Sequence, residues 1–311
     1  MSFSGRMMNS HFYSVFFAPR GRDRIYDLGM HIAQMYLSPF DKLIGIIGEA
    51  GSGKSMLIKG MFPGLELTND DGGVNTRPLP LLEVFDSDSG FFNAHTYHLD
   101  IRFEAAFTQM HVLADAILTA VQKGKRVIVE HFDMIYPFLN VNANLLIGMG
   151  EEIIITRPNV FGPLPNEIYD IVSKSVVYRR MAHTAEDLCE FYMPDEYSTR
   201  CRHGDVKHGF VLEFDKKPDF DLDALEKQVF DAIAADYPIS FVDEGHILIN
   251  KTLHPCTGPR THVSSTGDIE NFRLVKKYFY DPINNRYMLA GRVGEKSLNE
   301  DATDFNDMKN L

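Results

Sequence analysis

Hydrophobic and polar positions alternate along the first half of the chain in runs that switch between two periods. DRIYDLGMHIAQMYL (23–37) spaces Ile25, Leu28, Ile32 and Leu37 so as to predict an amphipathic helix, which SPFD ends. KLIGIIG (42–48) is a short apolar run bounded by turn residues, the mark of a buried strand, and KSMLIKGMF (54–62) opens the next helix. PLLEVFDSDSGFF (80–92) predicts a second strand ending in acids. RFEAAFTQMHVLADAILTAVQKGK (102–125) predicts one long helix stopped by Gly124. RVIVEHFD (126–133) and EEIIITRP (151–158) predict two more strands. Strands alternating with helices imply an α/β fold with a mostly parallel, helix-covered sheet.

After PNVFGPLP the pattern changes. A helix over SKSVVYRRMAHTAEDLCEFY (173–192) precedes HGFVLEFD (208–215), which alternates like an antiparallel strand. Residues 221–236 put Leu222, Leu225, Val229 and Ile233 on one helix face behind an Asp cap. HILIN, FRLVKKYFY and RYMLAGRV read as further strands, so this half is α+β with an antiparallel sheet. The expected domains are 1–165 and 166–295, with the acidic stretch 296–311 as a frayed tail. There is no internal repeat.

With 44% hydrophobic and 24% charged residues the composition is that of a soluble globular protein. Three scattered cysteines, Cys189, Cys201 and Cys256, make no disulfide framework, so a reducing cytoplasm is the expected location. No cleavable leader and no run of about 18 apolar residues suggests a membrane. The net charge of -12 argues against a broad nucleic-acid-coating surface, leaving Arg20, Arg22 and Arg24 or the pair Arg179 and Arg180 as candidate local patches.

The first candidate chemistry lies in GIIGEAGSGKS. Gly48, Gly51, Gly53, Lys54 and Ser55 match G-x-x-x-x-G-K-[ST] between a predicted strand and a predicted helix. Backbone N–H groups of this loop, Ser52 included, converge on phosphate oxygens at a helix N-terminus. Lys54, expected on an exposed loop, neutralises the β and γ phosphates, and the Ser55 hydroxyl reaches Mg²⁺. A carboxylate at a neighbouring strand end completes such a site. RVIVEHFD offers Glu130 and Asp133, with the choice between them open. Asp86 and Asp88 in VFDSDS, or His98 and Asp100 in YHLD, are candidates for accepting a proton from an attacking hydroxyl.

Order and spacing in this half resemble uridine-kinase-type P-loop enzymes. YHLD followed by VIVEH also resembles the small bacterial ATPase of the threonylcarbamoyl-adenosine tRNA modification system. These resemblances imply ATP with Mg²⁺, and no NKxD guanine-specificity motif is present.

Residues 175–293 resemble the second additional domain of threonyl- and alanyl-tRNA synthetases and of free-standing alanyl-tRNA editing proteins. The matching segments, in family order, are AHTAEDL (182–188), HGDVKHGFVLEFD (203–215), DLDALEKQVFDAIAADYPI and HPCTGPRTHVSSTGDIENFRLVKK (254–277). The resemblance implies a pocket built from two helix histidines, a loop cysteine and a loop histidine, with zinc in some members. His183 matches the first helix position and Cys256 the loop cysteine. Asp187 stands where the second histidine is expected and Arg260 where the loop histidine is expected, with His262 two residues beyond. His183, Asp187, Cys256 and His262 are therefore the implied zinc set, with His254 as a substitute.

The combined expectation is an ATP-binding P-loop protein whose editing-like domain acts on aminoacyl-tRNA, at its acceptor end, or on an amino acid, with Asp86, Asp88, Glu130 and Cys256 as catalytic candidates. Two alternatives stand beside it: a nucleoside-type kinase with the second domain as sensor or scaffold, and a non-catalytic nucleotide-dependent regulator.

Overall fold

A computed structural model describes residues 13–67, 81 and 95–294. The predicted strand at 80–92, with Asp86 and Asp88, lies outside the described residues apart from Leu81, as does the acidic tail. The chain forms two compact units, Met1–Phe16 with Asp23–Lys174 and Phe17–Arg22 with Ser175–Leu311. The change of unit therefore falls inside a helix rather than in the Pro/Gly-rich stretch before it.

The first unit carries β1 (Tyr13–Phe17), α1 (Arg22–Tyr36), β2 (Leu43–Gly48), α2 (Lys54–Met61), β3 (Thr96–Asp100), α3 (Ile101–Glu104), α4 (Met110–Gln122), β4 (Arg126–Glu130), α5 (Phe132–Leu139), β5 (Leu145–Met149) and β6 (Glu152–Thr156). Its six-stranded sheet runs β1-β6-β5-β2-β4-β3. β2 pairs in parallel with β4 and β5, and β3 with β4. All six residues of β2 are buried, as a strand covered on both faces requires. β6 departs from the expected parallel order and pairs antiparallel with β5. Only Gly150 and Glu151 join the two, too little chain for a crossover.

The helix expected over 102–125 is two helices. Asp100 caps α3 by accepting from the Phe103 N–H at 3.2 Å, and Gln109 then adopts extended backbone before α4 restarts. α1 and α2 meet through glycines: a Cβ on Gly60 would lie 2.1 Å from the Tyr26 carbonyl oxygen. That close approach seats α2 behind the loop that precedes it.

α6 (Pro165–Tyr192) starts on a proline, which suits a first helical turn, and its residues from Ser175 onward belong to the second unit. There follow α7 (Asp195–Ser198), β7 (Arg202–Val206), β8 (Gly209–Phe214), α8 (Leu222–Ala234), β9 (Ile239–Asp243), β10 (His246–Ile249), β11 (Thr252–Pro255), β12 (Arg273–Leu274), β13 (Phe279–Asp281) and β14 (Arg286–Arg292). One antiparallel sheet runs β12-β14-β8-β7 with β13 beside β14, and a second runs β11-β10-β9. The predicted single strand FRLVKKYFY is split into β12 and β13. Asp221 caps α8, accepting from the Asp223 N–H at 2.8 Å. The core of this unit packs Met181 and Leu188 of α6 and Leu225 and Val229 of α8 with Phe210, Leu212 and Leu289 of the larger sheet.

Of the arginines offered as local patches, Arg22, Arg24 and Arg180 are partly exposed, whereas two are buried. Arg20 is 4% exposed and Arg179 1% exposed. Among the described residues, no helix is long and apolar enough to cross a membrane.

Candidate functional site

Among the described residues, the side chains that the sequence singles out gather in two places, one in each unit. The first lies at the carboxyl end of β2, between β4 and β5, where open α/β sheets leave a crevice. The chain turns through Gly51 (φ 77°) and Gly53 (φ 94°), left-handed conformations that favour glycine, and enters α2 at Lys54. A side chain on Gly53 would also collide with Ile25 of α1 at 2.7 Å.

Lys54 is not on an exposed loop; it is 6% exposed. Its ammonium donates to the carbonyl oxygens of Gly48 (3.2 Å) and Glu49 (3.0 Å) and lies 3.6 Å from Glu130 Oε2. Ser55 Oγ donates to Glu130 Oε1 at 3.3 Å. Glu130, at the end of β4, is thus the acid that touches the loop, whereas Asp133 lies in the first turn of α5. His98 Nε2 is 3.1 Å from Glu130 Oε1; an ionised carboxylate only accepts, so Nε2 carries the proton. Burial alone would raise the Glu130 pKa. The His98 hydrogen bond and the charges of His98, Lys54 and His131 outweigh it and hold the carboxyl at about 2.

Asp100 faces Glu130 in register across β3 and β4, and Asp100, Glu130 and His131 offer ligand atoms within 4.8 Å of one another. His131 is itself left-handed (φ 57°), an uncommon geometry for a non-glycine residue. Burial, and next the charges of Lys54 and Arg102, lower its pKa to about 4. Tyr169 of α6 donates to Glu49 Oε1 at 3.0 Å. Neither His131 nor Tyr169 stands out in sequence, because each reaches the loop through folding.

The second cluster joins one turn of α6 to the loop after β11. His183 and Asp187 share a helix face at i, i+4. Cys256 follows β11 and is held by its N–H donating to the Gly245 carbonyl at 2.8 Å. The loop is tied to the helix by the Val263 N–H, which donates to Thr184 Oγ1 at 3.2 Å. His183 Nε2 lies 3.6 Å from Cys256 Sγ and 3.8 Å from Asp187 Oδ1. His262 Nε2 lies 3.7 Å from Cys256 Sγ and 2.9 Å from Asp187 Oδ2. Arg260 lies outside the cluster, against Glu244 at 3.2 Å and over the Phe241 ring at 4.4 Å.

Each imidazole turns Nδ1 to a backbone carbonyl, His183 to Thr261 (3.0 Å) and His262 to Pro259 (3.2 Å). Nδ1–H donation leaves both Nε2 lone pairs facing inward, toward a carboxylate and a sulfur. In that tautomer the pocket's donor set, two imidazole nitrogens, a carboxylate and a sulfur, suits a cation. A tetrahedral zinc with bonds of about 2.0–2.3 Å separates its donors by about 3.3–3.6 Å, close to three of these four distances. The residues fit that ion.

Burial drives the His183 pKa well below the ordinary histidine range, with His262 next. It pushes the Cys256 thiol far up, and Asp187 adds to the rise. The thiolate is the form that attacks or ligates, so this sulfur does either only with a positive charge beside it. Asp187 is held low: its histidine partners outweigh burial.

A cavity of about 850 Å³ in the same unit has His262 in its wall, with Arg180, Phe241, Arg260, Asp268 and Glu270. Sequence reasoning missed the buried Arg20–Glu186 pair (3.1 Å) beside this cluster. No protein-family model matches the chain, and neither does any curated protein sequence.

Proposed function

We propose that the first unit is a P-loop nucleotide-binding domain and the second a metal-dependent hydrolase of the synthetase-editing kind. In this reading the protein cleaves the ester between an amino acid and the terminal ribose of tRNA, gated by ATP. The observation that carries the proposal is the convergence of His183, Asp187, Cys256 and His262 on one acceptor-lined point at the edge of a cavity.

Zinc, which those four residues would hold, would supply Lewis acidity toward an ester carbonyl or water where one of the four donors yields its place. The protein's own residues do the rest. Thr261 and Pro259 carbonyls fix the imidazole tautomers. Arg180 and Arg260 supply positive charge and Phe241 an aromatic face, a wall suited to a phosphate and a base. Asp268 and Glu270 suit the α-ammonium of an aminoacyl group.

In the first unit the loop amides and Lys54 bind triphosphate, and Ser55 with Glu130 behind it holds Mg²⁺. Lys54 exchanges its bonds to Gly48 and Glu49 for phosphate oxygens, an exchange that costs little because each partner is a single neutral carbonyl.

One observation favours a second reading. Four protein donors leave a tetrahedral ion no open position, as in structural zinc sites, and that suits a nucleotide-dependent regulator.

The deciding experiment is deacylation of mischarged alanine- and threonine-specific tRNAs by zinc-loaded protein. Under the hydrolase reading the rate exceeds the uncatalysed one and falls at least about 100-fold in Cys256→Ala. Bound zinc without ester hydrolysis, with or without ATP, sinks the hydrolase and leaves the regulator.

A further inference from the structure

The four-residue cluster does not end at Asp187. Glu190 follows it by one helical turn on the same face of α6, and His254 of β11 comes up from the opposite side. Asp187, Glu190 and His254 offer one ligand atom each, all within 4.8 Å of one another. We propose that these three residues form a second divalent-cation site, with the Asp187 carboxylate bridging it to the ion held by His183, Cys256 and His262. The inference rests on the metal-site reading of that first cluster.

Three features point to this cation. His254 is only 7% exposed, and its buried Nε2 has no hydrogen-bond partner among the described residues. An imidazole nitrogen left unsatisfied in a protein interior is costly unless something occupies it. Two carboxylates, Asp187 and Glu190, share this buried space, and like charges that close repel unless a positive charge lies between them. Finally, Glu190 Oε1 is buried without a hydrogen-bond partner among the described residues, with His203 Nε2 beside it at 2.6 Å as an ion-pair neighbour. Cys201 also borders Glu190 and, with His203, offers ligand atoms within 4.8 Å of it, while its thiol donates to the Ser198 carbonyl at 3.3 Å; Cys201→Ala therefore serves as the control for any sulfur band that outlasts Cys256→Ala.

The donor set selects the ion. Two carboxylates and an imidazole, with no sulfur, suit Zn²⁺ or Mn²⁺. Three protein donors leave coordination positions open, which the first cluster does not. Carboxylate-bridged pairs of ions about 3.5–4 Å apart clamp an oxygen-rich substrate between them. The open ion would therefore be the one that meets a ligand, and the closed one would anchor α6 to the loop after β11.

Cobalt(II) reports on the two sites separately, because only the first contains sulfur. Full-length protein stripped with chelator is titrated with Co²⁺ alone while the absorption spectrum and bound metal are followed. Two equivalents are expected. One brings a thiolate-to-cobalt charge-transfer band; the other adds only ligand-field absorption. His254→Ala and Glu190→Gln should each bind one equivalent with the sulfur band intact, and Cys256→Ala should lose that band. Saturation at one equivalent with the band present overturns the second site and leaves the first. Two equivalents retained in both His254→Ala and Glu190→Gln also overturn it. A wild-type spectrum with no sulfur band overturns the first cluster, and the bridge falls with it. Glu190→Gln keeps shape and size, so it decides the matter if His254→Ala does not fold.

Discussion

Nε2 of His262 stands 2.9 Å from a carboxylate oxygen of Asp187, while Nδ1 of the same ring faces the Pro259 carbonyl at 3.2 Å. With the ring donating through Nδ1, two acceptors confront each other, and a cation between them removes the conflict. Chelator should therefore destabilise the protein. A site filled at 100–1,000 times its dissociation constant contributes about 3–4 kcal/mol, or a melting shift of about 10 °C in a unit of this size. Cys256→Ala and Asp187→Asn should melt at one temperature with and without chelator. Calorimetry on zinc-loaded and stripped samples reads this, and equal melting of both wild-type samples refutes the metal site.

Lys54 should be needed for nucleotide and also for the local fold. Removing it leaves Glu130 buried with one cation fewer, at a cost of about 3 kcal/mol. Lys54→Ala is expected to lose at least about 100-fold in affinity for a fluorescent ATP analogue and to unfold at lower denaturant. Unchanged nucleotide affinity removes the phosphate-site assignment.

The pH dependence of the first unit should carry the signature of Glu130. Its carboxyl sits at about 2 rather than the ordinary 4.5, so the folded state favours the ionised form. That contribution is complete above about pH 4.5 and disappears as pH falls toward 2, amounting to roughly 3 kcal/mol. Denaturant midpoints of wild type and Glu130→Gln between pH 2 and 7 measure it. The wild-type curve should drop more steeply in that window, and parallel curves count against the assignment.

Arg20 forks onto Glu186 through Nε and Nη2, both at 3.1 Å, and its guanidinium also reaches the Gly204 and Gly209 carbonyls. Arg20→Leu should cost about 3–5 kcal/mol by stranding a buried acid. Adding Glu186→Leu should restore much of that loss, since the pair together has less to lose than either residue alone. Urea unfolding of the single and double variants reads the coupling, and additive losses contradict it.

Gly60→Ala should weaken the seat of α2, because the added methyl meets the Tyr26 carbonyl oxygen at 2.1 Å in backbone that has little room to move. A loss of about 1–3 kcal/mol is expected. ATP affinity should fall with it, measured on the same preparation.

How much the sequence discloses depends on how local each feature is. The glycine loop reads directly because its residues are contiguous and its strand and helix flank it. Glu130 is legible as a strand-end acid, yet preferring it over Asp133 requires the Ser55 contact. His183 and Asp187 are spaced for one helix face, but Cys256 lies 73 residues from His183, so only a resemblance brings them together on paper. The antiparallel β6 hides in an apolar run that any buried strand would share. β1, β7, β9 and β11 are too polar or too short to stand out, and the burial of His254 within exposed β11 has no periodic signal at all.

The path of the chain sets terms for anyone wishing to study the halves alone. The backbone enters the second unit at Phe17–Arg22, goes back to the first, and leaves it again within α6. A gene trimmed to start at residue 175 would encode Glu186 without the guanidinium that meets it, so a well-behaved fragment demands that the short stretch bearing Arg20 be grafted on or supplied as a peptide.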